Sequence, residues 1–201
     1  MTASIKAWQL FWLLAAVISI AICLGLPFAD FHAFRGTEFI VLYSVFCALP
    51  LLLVAFTASS LVVLWPSRTA RWVLVNRRYI GLAFAFAMVW HFVFVGYFMA
   101  SFGNRVRWFD LTLDIVGACF LLAMTLTSFR TFSRHLSSST WCRLHKTGIY
   151  TLWLLPTYFF LDDYLETLQP YWLALFAVFL AAGTLRFLAW KRRPVVLRSA
   201  A

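Results

Sequence analysis

Charged residues are scarce in this chain. Only 12% of its 201 residues are charged and only 7 are acidic, whereas 64% belong to the apolar set. Soluble globular domains carry about 25% charged and roughly 45–50% apolar residues. The composition therefore excludes an ordinary soluble domain, and a mean hydropathy of +0.87 indicates that most of the chain lies in a membrane.

Cysteine is also rare, and its spacing excludes the usual cysteine sites. The four cysteines are Cys23, Cys47, Cys119 and Cys142, and none of them form the Cys-x-x-Cys spacing of metal and redox motifs. Three of them fall within apolar runs, where each serves as a small packing residue. We therefore expect neither a disulfide nor a cysteine metal site.

Long apolar runs are what the chain has in abundance. A helix needs about 20 apolar residues to cross the hydrocarbon core of a bilayer. Six suitable runs use nearly the whole chain, near residues 7–28, 40–65, 79–101, 111–129, 141–161 and 170–190. The sequence thus predicts an all-α integral membrane protein: a single domain over 1–201, built as a six-helix transmembrane bundle with short loops.

The few charges are sorted by side of the membrane. Fourteen of the 17 basic residues fall on the amino-terminal side of the predicted spans, and all seven acidic residues fall on the opposite side. Because Lys and Arg accumulate in cytoplasmic loops, both termini are expected in the cytoplasm. The net charge of +10 is therefore a topology signal with some lipid-headgroup contact, and nucleic-acid binding has no support.

Two histidines are candidates for chemistry inside the bilayer, where ionisable side chains are costly and usually functional. His91 lies in the middle of the third run, and His145 lies just inside the fifth. A buried neutral imidazole can ligate haem iron, and facing helices can supply two such ligands. A histidine that bonds only to Ser, Thr or a carbonyl of a neighbouring helix is the alternative, and the pattern leaves both open.

Two segments around these histidines carry a family resemblance. They are Arg77-Arg78-Tyr79-Ile80-Gly81-Leu82 leading to His91, and Thr127-Ser128 through Trp141-Cys142-Arg143-Leu144-His145-Lys146 to Tyr150. They resemble the ferric-reductase-like transmembrane domain family, most closely the haem-binding membrane subunits of periplasmic methionine-sulfoxide reductase systems. The specific motifs cover residues 77–150, and the architectural likeness covers most of the chain.

The resemblance implies an electron-transfer function. Its members carry b-type haem, and here one haem rather than two is expected, with His91 and His145 as ligands of the haem iron. Electrons would come from a cytosolic flavin reductase or a membrane quinol and pass across a bacterial inner membrane to a periplasmic redox partner. The chain would then be a redox subunit of an oxidoreductase system and no complete enzyme alone.

One position departs from the family pattern. The family's fifth helix carries a second histidine 13 residues after the first, and here that position is Tyr158. At 1.5 Å per residue, His91 lies about 20 Å beyond Arg78, His145 about 6 Å beyond Trp141, and Tyr158 about 26 Å beyond Trp141. Three outcomes stay open: haem between His91 and His145, haem on His91 with Tyr158 or nothing opposite, or loss of haem.

Charged residues at the two membrane faces give weaker predictions. Arg77, Arg78, Arg143 and Lys146 could pair with haem propionates or a flavin phosphate, although the positive-inside rule alone accounts for them. The acidic face could steer a basic partner, although a solvated loop explains it as well.

A haem-free small transporter or assembly scaffold is the rival function. A transporter would be favoured by midplane charges and by broken helices at matched positions in two halves. The chain offers one mid-span proline, Pro156, and no midplane carboxylate, which counts against a transporter.

Overall fold

The computed structural model describes residues 7–103 and 107–192, and all regular secondary structure in these residues is helical. The helices are α1 (Ala7–Gly25), α2 (Phe34–Leu64), α3 (Arg68–Phe102), α4 (Trp108–Thr127), α5 (Arg130–Ser133), α6 (Ser138–Thr167) and α7 (Pro170–Arg192), with a 3-10 turn at Leu26–Phe28. The all-α prediction is confirmed. Four basic residues of the charge argument, Lys6, Arg105, Arg193 and Arg198, lie outside the described residues.

Five helices of the described chain are long and apolar enough to cross a membrane, namely α1 with its 3-10 turn, α2, α3, α4 and α7. The sixth predicted span corresponds to α6. This helix has 30 residues, but charged residues near both of its ends lower its hydropathy. They are Arg143 and Lys146 near its start, and Asp162, Asp163 and Glu166 near its end.

Serine caps explain where two of the helices begin. The Ser67 hydroxyl accepts a hydrogen bond from the Ala70 amide at 3.1 Å, and Ser137 accepts one from the Thr140 amide at 3.1 Å. Each bond satisfies an amide that the first helical turn leaves free. As a result α6 starts three residues before the predicted span, and α3 starts 11 residues before its own.

Two prolines lie inside helices, and the sequence argument had counted only one. Pro156 lies within α6, as predicted, and Pro50 lies within α2. Each removes one backbone hydrogen bond of its helix. Both helices nevertheless remain continuous through the proline.

The helices run antiparallel between two ends of the bundle. We call the end with Arg77, Arg78, Arg143 and Lys146 the basic end, and the end with Asp110, Asp162 and Glu166 the acidic end. At the basic end, the Trp8 ring lies 5.3 Å from the Tyr79 ring, and Trp141 Nε1 donates to the Thr127 carbonyl at 3.0 Å. At the acidic end, the Tyr97 hydroxyl donates to the Phe31 carbonyl at 3.1 Å.

Helix α4 is tied to α6 at both of these ends. At the acidic end, Arg107, which precedes α4, pairs with Asp162 and Glu166 of α6 and with Asp110 of α4. Hydrogen bonds to Asp110 and Asp162 raise the pKa of the Arg107 guanidinium. Together with the bond between Trp141 and Thr127, this network makes α6 run the full length of α4.

Helix α2 forms the centre of the bundle and packs against α1, α3, α6 and α7. Its fully buried Phe56 stacks on Trp153 of α6, with the ring centres 5.3 Å apart. The Phe56 carbonyl accepts a hydrogen bond of 2.8 Å from Arg186 of α7. By contrast, α4 lies at the edge of the bundle and packs chiefly on α6.

Candidate functional site

The predicted candidate His91 is a buried residue of α3, with 9% of its surface exposed. Its Nδ1 lies 3.2 Å from the Val41 carbonyl oxygen and 3.3 Å from Ser44 Oγ, both on α2. A carbonyl oxygen can only accept, so Nδ1 carries the ring proton in the neutral imidazole. Nε2 therefore keeps its lone pair, which is the arrangement of a ligating histidine oriented by a carbonyl.

His91 lines a cavity, and its second ring nitrogen has no hydrogen-bond partner among the described residues. Within the described chain Nε2 makes no hydrogen bond, while every fully buried side-chain nitrogen or oxygen there has a partner. Nε2 is consequently not sealed in the packing, and His91 lines a cavity of about 240 Å³. Nδ1 therefore fits the alternative of a histidine that bonds only to neighbouring residues, whereas Nε2 does not.

The walls of this cavity are apolar apart from a few polar groups. Besides His91 these are Asp114 of α4 and Asp163 of α6. Small residues of α4, Gly117 and Ala118, form part of the same wall, and a Cβ at Gly117 would come within 2.7 Å of Leu155. The other wall residues include Val41, Leu52, Phe84, Met88, Phe92, Leu121, Leu152, Pro156, Phe160 and Trp172.

A second cavity, of about 440 Å³, adjoins the first between α1, α3 and α4. Phe92, Ala118 and Leu121 line both cavities and so lie between them. The second cavity is bounded by apolar side chains and Thr125, and none of its wall residues is a histidine, cysteine or carboxylate. The second cavity therefore offers room for a bound group but no such side chain to ligate a metal.

The second predicted ligand, His145, lies at the basic end and does not line the His91 cavity. Its Nε2 is 3.0 Å from Thr127 Oγ1, and that hydroxyl donates its own proton to the Ala123 carbonyl at 2.7 Å. His145 Nε2 is therefore the donor in their contact. The ring also stacks on Trp141 at 4.1 Å. The structure does not bring His145 and His91 together.

Tyr158, the predicted alternative ligand, points away from the cavity that its neighbours line. Pro156, Phe159 and Phe160 are wall residues of the His91 cavity, and Tyr158 is not. Its ring lies 6.0 Å from that of Phe109, in the first turn of α4.

The basic rim residues belong to the basic end, with His145 and away from the two cavity carboxylates. Arg77 is close enough to His145 to interact with it electrostatically. The Arg78 guanidinium lies 5.7 Å from the centre of the Tyr79 ring. Arg143 and Lys146 lie near the start of α6, on either side of His145.

The hydrogen-bond partners of His91 and the position of one carboxylate were not predicted from the sequence. Asp114 was assigned to the acidic loops, yet it lies inside predicted span 111–129 and lines the His91 cavity. The spacing of Asp114, Gly117 and Ala118 places them on one helix face and was an available signal. No comparable signal identified Val41 or Ser44.

The fold and site together define a class: an all-helical protein with five helices long and apolar enough to cross a membrane and a buried histidine that lines a cavity. Among the described residues, no group of three or more His, Cys, Asp or Glu side chains is placed to hold a metal ion by itself. No family model, curated protein or solved structure matches the chain. The family resemblance stays a prediction based on the motifs over residues 77–150.

Proposed function

We propose that this chain is the haem-binding membrane subunit of an electron-transfer system, with haem b held by His91. The observation that carries the proposal is the state of the His91 ring: Nδ1 donates to the Val41 carbonyl, Nε2 has no hydrogen-bond partner among the described residues, and His91 lines a cavity. Haem bound there would supply a one-electron carrier inside the bilayer. Donor and acceptor would be a cytosolic flavin reductase or membrane quinol and a periplasmic redox partner, as in the ferric-reductase-like family.

The cavity offers one imidazole, that of His91, which would hold the iron of a haem. The carbonyl partner at Nδ1 fixes the ring orientation and increases the basicity of Nε2. The His91 cavity alone, at about 240 Å³, is smaller than the roughly 300–1,000 Å³ of typical small-molecule sites. Binding of a macrocycle therefore requires movement of Phe92 or Leu121, behind which the second cavity lies.

The bundle also supports six spans with both termini in the cytoplasm of a bacterial cell. Contacts at both ends align α6 with α4, and α4 is itself long and apolar enough to cross a membrane. A helix aligned with a spanning neighbour over its whole length covers the same thickness. Most of the described basic residues lie at one end, which the positive-inside rule assigns to the cytoplasm, whereas Arg35 and Arg107 lie at the other.

The two ends would serve different partners. Arg77, Arg78, Arg143 and Lys146 at the basic end would face a flavin phosphate or an acidic patch of a cytosolic donor. The acidic end carries Asp162 and Glu166 with Arg107, and it would face the periplasmic partner.

The test is an absorption spectrum of the full-length protein, purified in detergent after expression with haem supplied. We expect a Soret band that is lost in His91→Ala. The band should persist in the control His135→Ala, because His135 is an exposed histidine at the basic end. Thermal unfolding of the haem-free proteins shows whether His91→Ala still folds. A wild-type protein without a Soret band would refute the proposal.

One observation favours the rival transporter function. Pro50 and Pro156 lie in the second helix of the first three spans and of the last three, which is the matched placement seen in inverted-repeat transporters. Neither helix is unwound there, which is why haem binding is the first proposal. Proton or cation flux into proteoliposomes, abolished by Asp114→Asn in a protein lacking haem, would favour the transporter instead.

A further inference from the structure

We infer that the second cavity, between α1, α3 and α4, binds one acyl chain of an anionic phospholipid whose headgroup pairs with Arg78 and Arg130. The inference goes beyond electron transfer and does not depend on haem. It assigns a lipid site to a place where three helices, each long and apolar enough to cross a membrane, leave a gap between them.

The second cavity is open at the surface of the bundle. It exists because α4 packs chiefly on α6 and only lightly on α3. Four of its wall residues are also exposed large apolar side chains, namely Trp8, Val89, Leu122 and Phe129. Because the three helices that form the cavity suit a bilayer, its opening faces lipid when they span a membrane.

The depth of the second cavity matches one leaflet of a bilayer. Its wall on α3 runs from Leu82 to Phe92, which is about 15 Å of helix at 1.5 Å per residue. Half of the hydrocarbon core, which is about 30 Å thick, has the same length. Leu82 lies near the basic end, one turn after Arg78, so the cavity extends from that end to the middle of the bundle. A spanning helix of a partner needs the whole core thickness and fits this half-depth cavity less well.

Two arginines lie where the headgroup of such a lipid belongs. The ring of Trp8, a wall residue, lies 5.3 Å from the Tyr79 ring and 6.5 Å from the Phe129 ring. The Arg78 guanidinium lies 5.7 Å from the centre of the Tyr79 ring, and the exposed Arg130 directly follows Phe129. Aromatic rings of this kind mark the membrane–water interface. Basic pockets between spanning helices bind anionic lipid headgroups.

Neither arginine is held by a carboxylate of the chain. Every ion pair between residues that the structure describes is made by Arg107, at the acidic end. Arg78 and Arg130 therefore have their charges available for a phosphate. Together, the apolar cavity and the two charges at its mouth match the two parts of an anionic phospholipid.

The experiment measures lipid binding to the full-length protein in detergent by native mass spectrometry. The probes are dioleoyl phosphatidylglycerol, an anion, and dioleoyl phosphatidylcholine, which has the same chains and no net charge. We expect the wild type to prefer the anionic lipid. Arg78→Gln and Arg130→Gln should each weaken binding of the anionic lipid by about fivefold and leave that of phosphatidylcholine unchanged. Arg143→Gln is the matched control, since Arg143 is exposed at the basic end on α6, which contributes no wall residue.

A second variant tests the acyl-chain part of the site. Ala85 of α3 lines the second cavity, and in Ala85→Leu the larger side chain should weaken binding of both lipids by the same factor. Ala181→Leu is its control, since Ala181 is exposed on α7. Thermal unfolding shows whether Ala85→Leu folds, and the two arginine variants, which change exposed residues, test the headgroup part independently.

Four results would overturn the inference. Equal binding of the two lipids by the wild type would remove the headgroup site. A loss in Arg143→Gln as large as that in Arg78→Gln would assign the preference to general surface charge. Unchanged lipid binding in a folded Ala85→Leu would remove the acyl-chain site. A wild-type dimer that becomes a monomer in Ala85→Leu would show that a second copy of the chain fills the cavity. None of these results depends on a Soret band, so a failure here is distinct from a failure of the proposed function.

Discussion

The ring proton of neutral His91 lies on Nδ1, because the Val41 carbonyl of α2 accepts a hydrogen bond from that nitrogen. The Val41 carbonyl accepts from His91 Nδ1 and also from Ser44 Oγ, at 2.7 Å in the second case. The hydroxyl of Ser44 uses its proton on that carbonyl, so toward His91 it can only accept. The ring proton is therefore shared by two acceptors, of which the carbonyl cannot be removed by substitution.

Ser44→Ala should consequently leave the ring orientation and haem binding intact. Nδ1–H keeps the Val41 carbonyl, and the loss of one hydrogen bond should lower the free energy of unfolding by about 1 kcal/mol. Haem content by absorbance and thermal unfolding in detergent measure the two effects. Ser60→Ala is the control, since Ser60 is equally buried on α2 and has no contact with His91. Loss of haem as complete as in His91→Ala would instead make Ser44 the main orienting group.

Depth in the membrane could be predicted from the sequence for these residues, but the direction of their side chains could not. Counting 1.5 Å per residue placed Tyr158 near His91 in depth and His145 toward the basic end. The structure agrees for His145, whose contacts are with Thr127 and Trp141. Whether the Tyr158 side chain faces the cavity depends on the rotation of α6 about its axis, since each residue turns the helix by about 100°. That rotation is set by packing against α4 and α7.

Between α6 and α7, a close approach occurs where glycine lacks a side chain. At Gly183 of α7, a Cβ atom would come within 2.5 Å of the Trp153 ring of α6. That ring cannot move freely, because its Nε1 donates to the Phe179 carbonyl at 2.8 Å and its face stacks on Phe56. The contact between α6 and α7 therefore depends on a missing methyl group.

Gly183→Ala should destabilise the bundle by about 1–3 kcal/mol, the usual cost of overpacking. Gly81→Ala on α3 is the matched control, since nothing lies within 4 Å of its added Cβ. In that variant the better helix propensity of alanine should raise stability by about 0.5–1 kcal/mol. Thermal unfolding in one detergent compares the two, and equal melting temperatures would mean that Trp153 gives way.

The long helices could be predicted from composition, whereas the short helix α5 and the residues of the cavity wall could not. Apolar runs predicted each long helix because backbone groups in lipid must bond within their own segment. Helix α5 was missed, since a four-residue helix has no apolar period. Cavity membership was also out of reach, because Asp114, Leu152 and Trp172 meet only through the packing of three different helices.

For the whole molecule, the status of α6 determines the topology. If α6 spans, as proposed, a cysteine at Gln169 and one at Ser139 lie on opposite sides of the membrane. In a variant lacking the four native cysteines, Gln169→Cys should react with a membrane-impermeant maleimide in intact spheroplasts. Ser139→Cys should react only after the membrane is permeabilised. Labelling of both from the same side would contradict the six-span arrangement.

The attachment of α4 to α6 affects how a molecule can reach the two cavities. Helix α4 is joined to α6 at its two ends and approaches it closely in the middle, at Gly117 and Leu155, whereas it packs only lightly on α3. Both cavities are lined by residues of α3 and α4, with Phe92 and Leu121 between them. We expect a large flat molecule to enter between α3 and α4, while α4 stays attached to α6. Loading could then follow membrane insertion, with the rest of the bundle already assembled.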